Sequence, residues 1–320
     1  MKYDIITIGD AFEDVFVEPE LKVESDRSFA GGKGICFEFG EKIPLKSIIY
    51  EIGGSACNTA VGFSRLGLKA GIVTALGDDT PRDKVVARLA EEGVDYSNTN
   101  IKKDIKTGFS VIFTINGERT IFVYHGIRDY SDLKIKKAIK SEWFYVSPLG
   151  ENTAEVEKRI LAEVSENNAK FAWNPGSMQI AKGTNHFRPL LRCTSVLFLN
   201  KEEAIKFLNH PFVVKIEDVM KRLQNIGPKI VVVTEGKDGA RAYDGKEHYR
   251  IKAKDIINKV DSTGAGDAFA VGFLAKLAKL RWKEEIPSEE IQEALKWGIE
   301  NSSSVLKFIG AQKGLLSKLA

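Results

Sequence analysis

The chain has 320 residues, 43% of them hydrophobic and 28% charged, and a net charge of +3. So even a balance, with Lys/Arg and Asp/Glu interspersed, argues against a nucleic-acid partner. Cys36, Cys57 and Cys193 lie far apart and away from His125, His186, His210 and His248, without metal-ligand spacing, which argues against structural zinc and a disulfide framework.

The start of the chain, Met1-Lys2-Tyr3-Asp4-Ile5, reads as a strand, and no apolar run approaches the ~20 residues that span a bilayer, so the expectation is a cytoplasmic protein without a membrane partner. Tyr3 to Ile8 is an apolar run ending at Gly9, suited to a strand buried in a parallel sheet. Ligands of such sheets gather at the carboxyl ends of the strands, so Asp10 to Asp14 fall where a substrate would sit. Asp14 is either part of that site or a plain turn residue.

From Val15 to Tyr50 the pattern is short, charged and β-prone (Ile35 to Phe39, Ser47 to Glu51), with Gly31, Gly32, Gly34 and Gly40 between. A second stretch matches it. Gly108 to Ile115 and Glu118 to Tyr124 flank Asn116-Gly117, a strong hairpin signal. Residues 15–50 and 108–124 are therefore expected to form a small β lid, and 1–14, 51–107 and 125–320 an α/β domain. Long inserts into compact domains are usually functional, often as lids.

Gly53-Gly54-Ser55-Ala56-Cys57-Asn58 opens a predicted helix from Asn58 to Leu66, stopped by Gly67. Small residues there let another molecule approach the backbone, and Asn58 offers a donor and acceptors for hydroxyls. A strand from Ala70 to Leu76 and a helix from Pro81 to Gly93 follow. From Trp143 strands and helices alternate. Trp143 to Val146, Phe171 to Trp173, Ser195 to Leu199 and Lys229 to Val233 are the strands, and Thr153 to Glu166 is one of the helices. This alternation defines an α/β fold with a mostly parallel sheet between helices.

The chemistry concentrates in Asp261-Ser262-Thr263-Gly264-Ala265-Gly266-Asp267, followed by the apolar helix-length run Ala268 to Ala275. A small-residue turn feeding a helix aims unpaired N–H groups and the positive dipole end at one point, which favours an anion such as phosphate. Asp267, a carboxylate in that place, is either a cap or a reactive group.

These pieces together resemble the ribokinase-like (PfkB) family of carbohydrate and nucleoside kinases over nearly the whole chain. Asp261 to Asp267 is similar to its carboxy-terminal signature and Gly53-Gly54 with Asn58 to its amino-terminal one. Asn200-Lys201-Glu202-Glu203 resembles its N-x-x-E and Thr234-Glu235-Gly236 its nucleotide-site turn. The resemblance implies a ribokinase-like fold and an ATP-dependent transfer to a primary hydroxyl of a ribose- or fructose-like sugar. It implies Asp267 as general base and the amides of Gly264, Ala265 and Gly266 as the anion hole. Asp14, Gly53, Gly54 and Asn58 fall to the acceptor. Asn200, Glu203, Thr234, Gly236, Gly239 and Asn301 fall to the nucleotide. Glu203 would hold Mg²⁺ through water, or is only a first-turn helix acid. Asp261, with carbonyls near Thr263 and Gly310, would by the same resemblance belong to a monovalent-cation site, with K⁺ as the candidate ion.

The chain departs from the ribokinase pattern at Phe12, at Ser55 and at Gly126-Ile127-Arg128, and lacks an acidic residue at Ser147-Pro148-Leu149. Phe12 is either a stacking surface for a nucleobase or wall packing; Arg128 either meets an acidic or phosphorylated substrate or is a solvated loop charge. A nucleoside kinase and a catalytically silent sugar- or nucleotide-binding regulator are the alternative readings. A homodimer through the lids is expected, because free sheet edges invite pairing.

Overall fold

The first strand, β1 (Lys2–Ile8), is buried on both faces: Ile6 and Ile8 enter one core cluster and Ile5 the opposite one. That is the behaviour of a central strand, with side chains alternating at period two between helix layers. The computed structural model describes the chain except residues 1, 26–28, 30–31, 116–117, 132, 136–138, 210–214, 258, 281–284 and 319–320. Gly31, His210 and the Asn116-Gly117 turn lie outside the described residues.

Past β1 come β2 (Phe12–Pro19), β3 (Glu24–Ser25), β4 (Lys33–Gly34), β5 (Leu45–Gly53), α1 (Ser55–Arg65), β6 (Ala70–Val73), β7 (Ala75–Gly77) and α2 (Thr80–Glu91). Next are β8 (Asn100–Lys102), β9 (Gly108–Ile115), β10 (Glu118–Tyr124), β11 (Lys140–Val146), α3 (Ala154–Asn167) and β12 (Lys170–Trp173). The chain continues with α4 (Ser177–His186), α5 (Arg188–Cys193), β13 (Val196–Asn200), α6 (Lys201–Leu208), α7 (Ile216–Ile226) and β14 (Ile230–Thr234). It closes with β15 (Ala240–Tyr243), β16 (His248–Ile251), α8 (Ala265–Leu280) and α9 (Ser288–Val305).

Eight strands form the main sheet, in the order β16-β15-β14-β13-β12-β11-β1-β6. From β6 to β14 every pairing is parallel; β15 and β16 are antiparallel additions at one edge. One face packs Val231, Val233, Trp173 and Phe207, and the other packs Val232, Phe198, Phe273 and Leu295. The result is the expected ribokinase-like α/β architecture, a mostly parallel sheet between helices.

A separate four-stranded sheet, β10-β9-β2-β5, stands where the lid was expected, and it takes in Phe12 to Asp14 and Glu51 to Gly53 as well. Two of its strands run into the core domain: β2 starts at Phe12, just past β1, and β5 ends at Gly53, just before α1. The stretch Ile35 to Phe39, read as β-prone, forms no strand. Phe37 and Phe39 lie exposed there, so strand propensity finds no partner surface to act on. The expected strand from Ala70 to Leu76 breaks at Thr74. The Thr74 carbonyl accepts from Asn100 N–H at 2.8 Å, and the chain turns away as β7 to pair with β8.

Candidate active site

Gly264 turns the signature loop with φ of +74°, a left-handed conformation that glycine adopts without strain. A Cβ there would stand 2.3 Å from the Ala311 Cβ, so the turn also needs glycine for space. Gly266 differs: a Cβ there meets nothing within 4 Å, because the residue faces open space. Ala265 begins α8, so the helix's first N–H groups point out of its start without intrahelical acceptors. The Ala265 amide is partly engaged, donating to the Ser262 carbonyl at a long 3.3 Å.

Asp267, in the first turn of α8, has its carboxyl raised to about 6 by burial, and hydrogen bonds from Asn58 and Ser55 pull it partly back. Asn58 Nδ2 donates to Asp267 Oδ2 at 2.9 Å, and Gln312 Nε2 donates to Asn58 Oδ1 at 3.1 Å. Asn58 is 4% exposed, so its contact is the carboxylate rather than open cavity. In this arrangement Asn58 orients Asp267, beside which an acceptor hydroxyl would have to come. The reason is local: α1 starts at Ser55 and not at Asn58, which turns Asn58 inward.

Asp14 sits on β2 rather than in a turn, 5% exposed, and receives a short hydrogen bond from the Ser110 hydroxyl of β9. Burial raises its pKa, and the charges of Asp261 and Glu51 add to the rise. A Cβ on Gly53 would lie 1.9 Å from Asp14 Oδ2, so that glycine makes room for the carboxylate. Gly54, with φ of +86°, lets α1 start within contact of the Asp10 carbonyl and the Ala11 backbone. Phe12, two residues before Asp14 and so on the same strand face, lies over Gly108 and meets the His125 ring edge-on at 6.1 Å. Asp10 accepts from the Tyr130 hydroxyl, and burial pushes its carboxyl up to about 7. Arg128 points into solvent, 3.9 Å from Glu151.

Across the turn, Thr234, Gly236 and Gly239 line a cavity of about 370 Å³ together with Ala265 and Gly266. Lys237, Lys254 and Lys259 add positive charge to its walls. Asn301 does not reach it. Fully buried, its Nδ2 donates to the Ala268 carbonyl at 2.7 Å and its Oδ1 accepts from Leu316 N–H at 2.9 Å, so it ties α9 to α8. Ile299, Ser302 and Leu306 carry the cavity-facing stripe of that helix. Their spacing of three and four residues is a signal the sequence does contain.

Asn200 caps α6, accepting from Glu203 N–H at 2.8 Å while Glu203 Oε2 accepts from Asn200 N–H at 2.8 Å. Asn200 lies in register with Thr234 on the neighbouring strand, which puts this capping box beside the cavity that Thr234 lines. Burial raises the Glu203 pKa. No cluster of metal-ligating side chains exists among the described residues. A Mg²⁺ ion carried in with phosphates and held through water at Glu203 fits this single carboxylate, one oxygen of which remains outside the capping box.

Asp261 does not fit a K⁺ ion. Its Oδ1 accepts from Arg119 Nη1 at 2.7 Å and from the Thr263 N–H and hydroxyl, and its Oδ2 accepts from Gly310 N–H at 3.1 Å. Both oxygens face donors, and a guanidinium already supplies the positive charge. The sequence reading did not single out Arg119 or Gln312, and took Ser55 only as a departure from the ribokinase pattern, although the three bond Asp261, Asn58 and Asp267 respectively.

The sequence profile of the pfkB family carbohydrate kinases matches residues 3–318, and the chain belongs to that family. It is thus a phosphotransferase acting on an alcohol group. It is 26% identical over 262 residues to the cytidine kinase of Thermococcus kodakarensis, covering 80% of this chain and 87% of that one. With a fructokinase of Salmonella typhimurium it shares 29% over 252 residues, 71% of this chain and 76% of the other. Its fold is similar to that of the Methanocaldococcus jannaschii nucleoside kinase, with a TM-score of 0.76, 22% identity and coverage of 98% and 95%. An Arabidopsis thaliana ribokinase complexed with ribose and ATP superposes with a TM-score of 0.78 at 18% identity, covering 99% and 96%.

Proposed function

We propose that the protein transfers the γ-phosphate of ATP to a primary hydroxyl of an uncharged polyhydroxy acceptor, a sugar or the sugar of a nucleoside. The observation that carries this is the place of Asp267. Its neighbours Ala265 and Gly266 line the cavity shared with Thr234 and Gly236, while its own carboxylate is tied to Asn58 at the entry of α1. A base raised to about 6 is ionised near neutral pH and still basic enough to take a hydroxyl proton as the phosphoryl group leaves. The helix-start amides meet the charge on the transferring oxygens. Mg²⁺, when bound with the nucleotide, neutralises phosphate charge, and Glu203 is the residue that would hold it through water.

Asp14 and Glu51 are paired across β2 and β5, and the Glu51 charge helps to raise the buried Asp14 carboxyl. Carboxyl groups on that side favour hydroxyl groups over a sugar phosphate or sugar acid. The Phe12–His125 pair beside Asp14 gives a nucleoside reading its own support, since two aromatic groups offer a surface to a base. ATP as the donor favours a cytoplasmic reaction. The exposed apolar groups of the lid, Ile48, Tyr50, Ile121, Phe122, Val123 and Tyr124, favour a homodimer through the lids, which light scattering reads directly.

The deciding experiment is a coupled ATPase screen over ribose, fructose, ketodeoxy acids and nucleosides, repeated with Asp267→Asn. One neutral acceptor should turn over, and the variant should lose at least about a hundredfold in kcat with binding retained, which is the usual scale of general-base effects. Comparable turnover in the variant removes Asp267 from the mechanism. Binding of acceptor and ATP without turnover in the wild type would favour a silent regulator.

A further inference from the structure

Arg119 stands near the start of β10, opposite Thr114 of β9, and reaches across to Asp261, 142 residues further along the chain. Its Nη1 donates to Asp261 Oδ1 at 2.7 Å and also to the Thr263 hydroxyl. The Asp261 side chain is 9% exposed and that of Arg119 34%, so the pair is sheltered on the carboxylate side. Asp261 also receives Thr263 N–H at 3.0 Å and Gly310 N–H at 3.1 Å. One lid guanidinium, one carboxylate and two backbone segments thus form a single knot, and the next residue after Thr263 is the left-handed Gly264.

We propose that Arg119 is a positioning residue of the phosphoryl site. It is a cation delivered by the lid that sets the turn carrying the Gly264 to Gly266 amides, so the anion hole is complete only when the lid is closed. The inference rests on the kinase reading above. Without Arg119, Asp261 would keep a sheltered negative charge beside a turn that has to receive phosphate, and the turn would lose one of its clamps. Asp14, already raised partly by the Asp261 charge, would feel the same imbalance from the acceptor side. Coupling the hole to lid closure restrains transfer to water when no acceptor is bound. Because the guanidinium balances Asp261, the wild-type enzyme needs no monovalent metal cation there.

An isolated exposed ion pair contributes little, so the test has to separate positioning from ordinary surface pairing. Wild type, Arg119→Lys and Arg119→Gln are assayed in choline chloride, KCl and guanidinium chloride at equal ionic strength. The wild-type rate should be the same in choline and in potassium. Arg119→Gln should lose about 10–100-fold in kcat, the scale of a misplaced catalytic geometry, with a raised acceptor KM and an unchanged ATP KM. Guanidinium at millimolar concentration should restore part of that loss in Arg119→Gln and nothing in the wild type, and Arg119→Lys should fall between. A second readout needs no turnover: with a non-hydrolysable ATP analogue bound, hydrogen exchange over 108–115 and 118–124 should be faster in Arg119→Gln. A wild type that loses most of its rate without K⁺, or a Gln variant with wild-type kcat, overturns the proposal. If no sugar or nucleoside is phosphorylated at all, the kinase reading fails, and the exchange measurement still decides. Equal exchange in the two proteins then rejects the latch, and faster exchange in the variant upholds it.

Discussion

β14 and β10 carry apolar runs of the same length, Ile230 to Val233 and Ile121 to Tyr124, and treat them in opposite ways. In β14 all four residues are at most 2% exposed, while in β10 the four are 45–55% exposed. The first lies between two helix layers in the main sheet; the second is an edge strand of the lid. Hydrophobicity alone therefore does not separate them; what separates them is how many faces are covered. The covered sheet gives rigid strand ends, and from them come Asn200 and Thr234 beside the cavity that Gly266 also lines. The half-covered sheet gives Phe12, Asp14 and Arg119. On the proposed function, the reacting atoms belong to the covered part and the choice of acceptor to the half-covered one.

The largest effect expected from breaking the rigid side comes from Gly264→Ala. A methyl group in a left-handed conformation and against Ala311 should cost about 2–4 kcal/mol of stability, and kcat should fall by more than about a hundredfold. Gly266→Ala supplies the contrast, since its Cβ meets nothing. Urea midpoints of the two variants and their transfer rates check this: equal midpoints would mean that the turn is not packed as described. On the lid side, Asp14→Asn should act on the acceptor alone. With a matched carboxylate gone, the acceptor KM should rise roughly 10–100-fold while the ATP KM stays put. A rise in both would place Asp14 in the common scaffold rather than in the acceptor pocket.

The same division explains what the sequence made legible. The main sheet could be read from runs such as Ile5 to Ile8 and Ile230 to Val233, because burial on both faces leaves a continuous apolar signature. The signature turn could be read because its glycines answer a left-handed backbone at Gly264 and an open approach at Gly266. Asn301 misled because a polar residue on a ligand-facing helix has the same composition whether it points at the ligand or at the next helix; only the register with Ser302 tells the two apart. Arg119 was hidden for a related reason. Its partner is 142 residues away, and nothing in a charged hairpin strand announces a distant carboxylate. Gln312 was hidden likewise, since it reaches Asp267 through Asn58, which lies 254 residues before it.

The smallest predicted effect tests how tightly that folding sets the base. Asn58 donates to the ionised carboxylate of Asp267, which holds the pKa below where burial alone would put it. Asn58→Ala should therefore move the acidic limb of kcat/KM above about 6, the wild-type position of the carboxyl. Activity should fall several-fold at pH 6 and hardly at all at pH 8, where the base is ionised in either protein. Stability should follow with a definite sign. The folded carboxyl lies above its ordinary value of 3.8, so its contribution is fully present below that pH and is lost as pH rises through the folded pKa. In Asn58→Ala the loss should continue to higher pH than in the wild type. Urea midpoints taken from pH 4 to pH 8 would show the wild-type curve levelling off first. A pH profile that keeps its acidic limb in place while the whole rate drops would assign Asn58 to the acceptor after all, and would return it from the rigid side of the comparison to the selective one.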